Sequence, residues 1–126
     1  MQQLVSATPI MTVSNIQASV EYYVRALGFT SGGVYPPGAG NDAFYAYLSR
    51  DDVRLHLERG AATGMAVYFI VRDVDALHDE LRDAGAEVLY DPDAPVRGPG
   101  DQPWGMREIW VKDPDGNVLR FGQPLR

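Results

Sequence analysis

Five charged or titratable side chains stand where strand-like segments would present them: Arg54, His56, Glu58, Glu108 and Arg120. Four flat rings accompany them, Tyr45, Tyr47, Tyr68 and Trp104. Two chemistries use such a set. Neutral imidazole and carboxylates are the donors of an open catalytic metal site. Flat rings with a few hydrogen-bonding heads suit an organic ligand instead, the rings giving affinity and the heads orientation. The donor count weighs against metal. There are two His and no Cys in the chain, so thiolate ligands, disulfides and a Cys nucleophile are excluded. His78 falls in a helical segment and reads as a surface or rim residue, so a two-His-one-carboxylate triad cannot be assembled. His56 with Glu58 and Glu108 is the one set left, and it would hold a metal weakly. No Ser/His/Asp order is present. Gly98-Pro99-Gly100 reads as a turn, because proline removes an N–H that a phosphate nest needs. No cofactor is implied.

Composition narrows the partners. Seventeen acidic against eleven basic residues give a net charge of −6. That argues against nucleic acid, whose phosphates reward basic patches. It is compatible with a cationic small ligand and equally with ordinary solubility. No apolar run approaches the ~18 residues of a membrane span. The start of the chain lacks a signal pattern, so the cytoplasm is the expected compartment. At 126 residues the expectation is one domain, 1–126.

The elements that must position these residues follow from periodicity. Leu4 to Val13 reads as a strand, with Pro9 better suited to an edge or exchanged strand than to a central one. Ser14 and Gln17 form a capping-box pattern ahead of a helix with Ile16, Val20, Tyr23, Val24 and Leu27 on one face. Gly28 ends it. Phe29 to Tyr35, Phe44 to Ser49 and Val53 to Glu58 read as strands, the last two as a hairpin. Gly60 to Gly64 reads as a linker, and the pattern restarts. Met65 to Val71 is a strand. Asp73 or Asp75 opens a helix with Val74, Leu77, Leu81 and Ala84 on one face, and Gly85 closes it. Ala86 to Tyr90 is a strand, Asp91 to Gly105 a loop. Glu108 to Lys112 and Asn117 to Phe121 make a hairpin around Asp113-Pro114-Asp115-Gly116. Residues 4–59 and 65–122 therefore repeat one βαβββ pattern, and Val13-Ser14-Asn15-Ile16 corresponds to Val71-Arg72-Asp73-Val74. Such a repeat dictates an α+β architecture of paired units.

Alternation sorts the faces. Phe44, Ala46, Leu48, Val53, Leu55 and Leu57 form an apolar face that should meet the helices. Tyr45, Tyr47, Ser49, Arg54, His56 and Glu58 form the other. In the second unit Val67, Phe69, Val71, Leu119 and Phe121 should face the helices, leaving Ala66, Tyr68, Ile70, Val118 and Arg120 on the opposite side. That side either lines a ligand cup or meets water.

The chain resembles the vicinal oxygen chelate superfamily, whose paired βαβββ units curl mixed sheets into a cup. Asp-Pro-x-Gly, here Asp113 to Gly116, is common to the whole superfamily. Gln102-Pro103-Trp104-Gly105 with Arg107-Glu108, Ser6-Ala7-Thr8-Pro9 and Arg50-Asp51-Asp52-Val53 are narrower and resemble its bleomycin-resistance branch. The resemblance implies a metal-free cytoplasmic homodimer whose first strand is exchanged near Pro9. It implies sequestration of bleomycin-type glycopeptides, or a similar flat, cationic molecule, in grooves at the dimer interface, without catalysis. Trp104 would stack on the drug's flat rings, or else anchor its loop. Tyr45 and Tyr68 would be groove aromatics. Tyr47, Arg54, His56, Glu58, Glu108 and Arg120 would complete the site. Lining up the superfamily's metal positions puts Thr8, Leu55 to His56, Ala66 and Arg120 where enzymes carry His and Glu. Ile70 stands where the branch has a second Trp. Two alternatives remain: a metal-dependent enzyme of the superfamily (lyase, dioxygenase or thiol transferase) with a degenerate site, or a binder of an unrelated metabolite.

Overall fold

The computed structural model describes residues 1–61 and 64–126. In the first half β1 (Ile10–Val13), α1 (Ile16–Arg25), β2 (Thr30–Tyr35), a one-turn 3-10 helix (Gly40–Asp42), β3 (Tyr45–Arg50) and β4 (Val53–Arg59) follow one another. The second half holds β5 (Ala66–Ile70), α2 (Val74–Asp83), β6 (Glu87–Leu89), β7 (Gly100–Gln102), β8 (Met106–Lys112) and β9 (Val118–Pro124). The expected linker at 60–64 falls partly on residues 62–63, outside the described ones.

Two open sheets result, ordered β1-β4-β3-β2 and β5-β9-β8-β6, with β7 added beside β8. In each, the first strand runs parallel to the last and the other pairs are antiparallel. The two halves are thus the same βαβββ unit, and the fold is α+β with mixed sheets, as the repeat predicts. Each helix starts on the same device. Asn15 and Asp73 stand extended as N-caps, their side-chain oxygens accepting from Ala18 N (2.9 Å) and Ala76 N (3.0 Å). The capping residue of α1 is therefore Asn15, not Ser14. Both are good caps, and the turn geometry selects the one whose oxygen reaches the third N–H beyond it.

The core forms where the alternation puts it. Ala46, Leu48, Leu55 and Leu57 of the first sheet and Phe69, Val111, Leu119 and Phe121 of the second are buried with Ile16, Tyr23, Val74 and Leu81 of the helices. The ends of the expected faces differ. Phe44 precedes β3, is half-exposed, and meets Tyr35 edge-to-face at 5.5 Å. Val24 is exposed on α1, while Ser19 takes a buried position one turn below Tyr23. His78 is a clear correction. It is only 4% exposed, on the Val74–Leu81 stripe, and its Nε2 lies 2.7 Å from the Tyr90 hydroxyl. A histidine at i+4 from Val74 shares its face, so helical phase outweighs polarity once the half-buried Tyr90 hydroxyl satisfies the ring.

The first strand is shorter than its sequence pattern. Pairing stops where His56 N donates to Pro9 O at 3.0 Å, and residues 1–9 lie outside any strand, with Leu4 86% and Val5 94% exposed. Pro9 supplies no N–H with which to continue the ladder. No helix among the described residues is long and apolar enough to cross a membrane.

The turn between β8 and β9 joins the halves. Asp113 Oδ1 accepts from Asp115 N and Asn117 N, and Oδ2 from the Tyr23 hydroxyl of α1 and from Asn117 Nδ2, all at 2.9 Å. Asn117 Nδ2 also donates to Thr12 O in β1, and its Oδ1 accepts from Met65 N, both at 2.9 Å. Gly116 turns the chain with φ +82°. The matching turn of the first half is shorter, just Asp51-Asp52, with Asp51 at φ +52°.

Candidate functional site

Each sheet keeps one polar, aromatic face away from the helices. In the first sheet, register places Tyr47 beside His56, Tyr45 beside Glu58 and Ser49 beside Arg54. Side chains paired across neighbouring strands point to the same side. Tyr45, Tyr47 and His56 close into an edge-to-face triad, with ring centroids 5.0–5.4 Å apart. The Tyr45 hydroxyl and His56 Nδ1 share a hydrogen bond of 2.9 Å. Burial first, then the negative charge of Glu58 and the neighbouring Tyr47, pushes the Tyr45 hydroxyl pKa up. The triad offers ring edges and one exposed ring, Tyr47. Arg54 and Glu58 flank it at the surface.

The second sheet is more tightly built. Register aligns Tyr68 on β5, Arg120 on β9 and Trp110 on β8 in one row. The next row is Ile70, Gly122, Glu108 and Gly100. Glu108 is 4% exposed and is the hub. Its Oε2 accepts from the Tyr68 hydroxyl at 2.5 Å and from Trp104 Nε1 at 2.8 Å, and its Oε1 from Trp110 Nε1 at 3.0 Å. The gap at Gly122 makes this possible. Tyr68 leans across β9 over that residue, and a Cβ there would overlap the hydroxyl and come within 2.7 Å of Tyr68 Cζ. The Arg120 guanidinium lies over the Trp110 ring, 4.0 Å from its centroid. Trp104, 61% exposed as a residue, reaches back from the β7–β8 turn. Ile70, 68% exposed, leaves an apolar step beside them.

The structure therefore gathers the nine residues singled out from the sequence into two clusters, one per unit. Among the described residues no hydrogen bond, ion pair or ring contact joins the clusters within one chain. Two members were not foreseen. Trp110 shares the parity of Glu108 along β8, so alternation was enough to find it. Gly122 carried no such signal, because a glycine in a strand says nothing of the ring that crosses it.

The Glu108 hub has a pH signature. Burial disfavours its charge, but the Tyr68, Trp104 and Trp110 hydrogen bonds and the Arg120 charge outweigh burial and hold the carboxyl below its ordinary 4.5. Burial, then the bond to Glu108 and its charge, pushes the Tyr68 hydroxyl up to about 12. The signs differ. The carboxylate's stabilisation is complete above 4.5 and is lost as pH falls through the lower folded value. The tyrosine's is complete below 10.0 and is lost as pH rises towards about 12. Tyr68→Phe is expected to flatten the alkaline fall in urea stability over that window. A variant keeping the full wild-type slope would refute the assignment to Tyr68.

Paired βαβββ units with mixed sheets and polar faces turned away from the helices define the vicinal oxygen chelate fold. The chain belongs to the Glyoxalase/Bleomycin resistance protein/Dioxygenase superfamily, whose profile matches residues 4–121. It is 25% identical to a bleomycin resistance protein of Geobacillus stearothermophilus, across 98% of this chain and 99% of that one. A bleomycin-binding protein from bleomycin-producing Streptomyces verticillus, solved with copper(II)-bleomycin, superposes with a TM-score of 0.75 at 32% identity, over 96% of this chain and 97% of that one. A glyoxalase-related enzyme from Clostridium phytofermentans shares the fold, with a TM-score of 0.78, 21% identity and 98% of both chains covered.

The superfamily contains metal enzymes, but the donor set here does not fit their metal. On the lining-up that the resemblance implies, Thr8, Ala66 and Arg120 would stand at three of the ligand positions, and the Arg120 guanidinium stacked on Trp110 is a permanent cation. Among the described residues, no group of three or more His, Asp or Glu side chains converges.

Proposed function

We propose that residues 1–126 act as one cytoplasmic domain that sequesters a flat antibiotic of the bleomycin type without metal and without catalysis. The observation that carries this is Trp104. Its ring is left open to solvent while its N–H is fixed on Glu108, so the ring is oriented in advance of any ligand. Pre-orientation removes part of the ordering cost of binding. Tyr45, Tyr47 and Tyr68 add ring surface, Arg54, His56, Glu58 and Arg120 orient the polar groups, and Glu108 holds the rings of Tyr68 and Trp104 in place. The similarity to a bleomycin-binding protein solved with its drug supports this choice of ligand.

The reading includes a homodimer. Two separate clusters in one chain suit grooves completed by the opposite unit of a second chain. The exposed apolar arm ahead of Pro9 suits exchange onto that partner, with the proline as the hinge. Calorimetric titration with metal-free and with copper-loaded bleomycin tests the proposal, together with sedimentation for the dimer. One ligand per chain, bound without added metal, is expected. No heat and no thermal shift with either form would remove bleomycin.

A further inference from the structure

Arg120 stands in the middle of the second polar face without a partner. Its guanidinium makes no hydrogen bond or ion pair among the described residues, and its Nε is buried and unsatisfied. A charged donor left so is costly, and native structures rarely tolerate one without a reason. The obvious partner is engaged elsewhere. Glu108 spends its two oxygens on Tyr68, Trp104 and Trp110. The stack on Trp110 meanwhile holds the guanidinium in place, in line with Tyr68. A fixed guanidinium presents its N–H donors as a planar fork that matches an oxygen acceptor.

We propose that Arg120 on Trp110 is an acceptor subsite, which takes a carboxylate or carboxamide oxygen borne directly on a flat aromatic ring lying against Trp104. The inference rests on the polar faces being the ligand site, and it narrows the ligand class. A ligand that is only cationic would meet repulsion at Arg120. The ring must therefore carry an acceptor here, and any cation must be read elsewhere, with Glu58 on the first unit as the open carboxylate.

The test uses the full chain and the indole N–H resonances of Trp104 and Trp110. The probes are quinoline-2-carboxylate and quinoline, with copper(II)-bleomycin alongside. Wild-type protein is expected to bind the carboxylate about tenfold more tightly than quinoline, as a charge-assisted fork implies. Arg120→Gln is expected to abolish that preference, bringing the affinity for the carboxylate down to that for quinoline in the same variant. Arg120→Lys keeps the charge without the fork, should fall between, and carries the test if the glutamine variant does not fold. Equal affinities for the two probes in wild type, or an undiminished preference in the variants, would overturn the subsite. If bleomycin shifts the indoles and neither probe does, the subsite falls alone. If nothing shifts them, the polar face is not the ligand site and the subsite falls with it.

Discussion

Asp113→Ala is expected to cost the fold about 3–5 kcal/mol, the range for breaking a buried network and stranding its members. The carboxylate is 1% exposed and takes four hydrogen bonds at 2.9 Å. Among the described residues no cation pairs with it. Its charge is spread over two backbone N–H groups, an amide and a phenol, which is how a buried carboxylate stays tolerable. Removing it leaves the Tyr23 hydroxyl unpaired in a fully buried position. That hydroxyl already resists ionisation strongly, through burial first and then the Asp113 charge. Asn117 loses two hydrogen bonds, from its backbone N and its Nδ2, while still holding Thr12 and Met65. The damage should thus appear as loss of coupling between the two units. Asp113→Asn tests the charge separately, since its amide must turn a donor towards either Tyr23 or Asn117. Urea unfolding measures both. A loss below about 1 kcal/mol, the net worth of one ordinary hydrogen bond, would show that the turn is not the seam.

This turn shows what the sequence could and could not disclose. Asp113-Pro114-Asp115-Gly116 announced a turn, because proline and glycine have local meaning that survives any context. Nothing in it announced that the acid would reach Tyr23 ninety residues earlier. The alternation of β3 and β4 disclosed both faces of the first sheet, since one face is uniformly apolar. The strand ends were not legible. Phe44 and Leu4 to Thr8 have strand composition, but whether a pattern is used depends on a neighbour strand that the pattern does not contain. His78 was misplaced for a similar reason. Its phase put it on the buried stripe, its polarity argued for the surface, and the deciding partner, Tyr90, lies in a segment whose placement periodicity cannot supply.

The candidate site divides along the same line. Residue types and parity were enough to assemble Tyr45, Tyr47, His56, Tyr68 and Arg120 on polar faces, while Glu108 came from the family motif. Their connections were not. Glu108 reads in sequence as a head group that orients a ligand, but in the structure its oxygens are occupied by three ring donors. It is a positioning residue, and the open charge passes to Arg120.

Trp104→Ala is expected to weaken binding of copper(II)-bleomycin by at least about tenfold, roughly 1.4 kcal/mol, while the fold survives. Two losses combine. The ring of this exposed residue can no longer be covered by a flat ligand. Glu108 also loses one of its three donors, so the carboxylate is freer to draw Arg120 away from the groove. Trp104→Phe separates them. It keeps a flat ring and removes the N–H, so it should recover much of the affinity if stacking dominates and little if Glu108 must be held. Calorimetry on both variants, with circular dichroism to verify the fold, reads the difference. Since Trp104 buries little of its own surface, its removal should cost the fold no more than about 1.5–3 kcal/mol, the range for a hydrogen bond to a charged group. A variant that binds like wild type would take Trp104 out of the site. One that loses binding and several kcal/mol of stability together would make it an anchor of the loop instead.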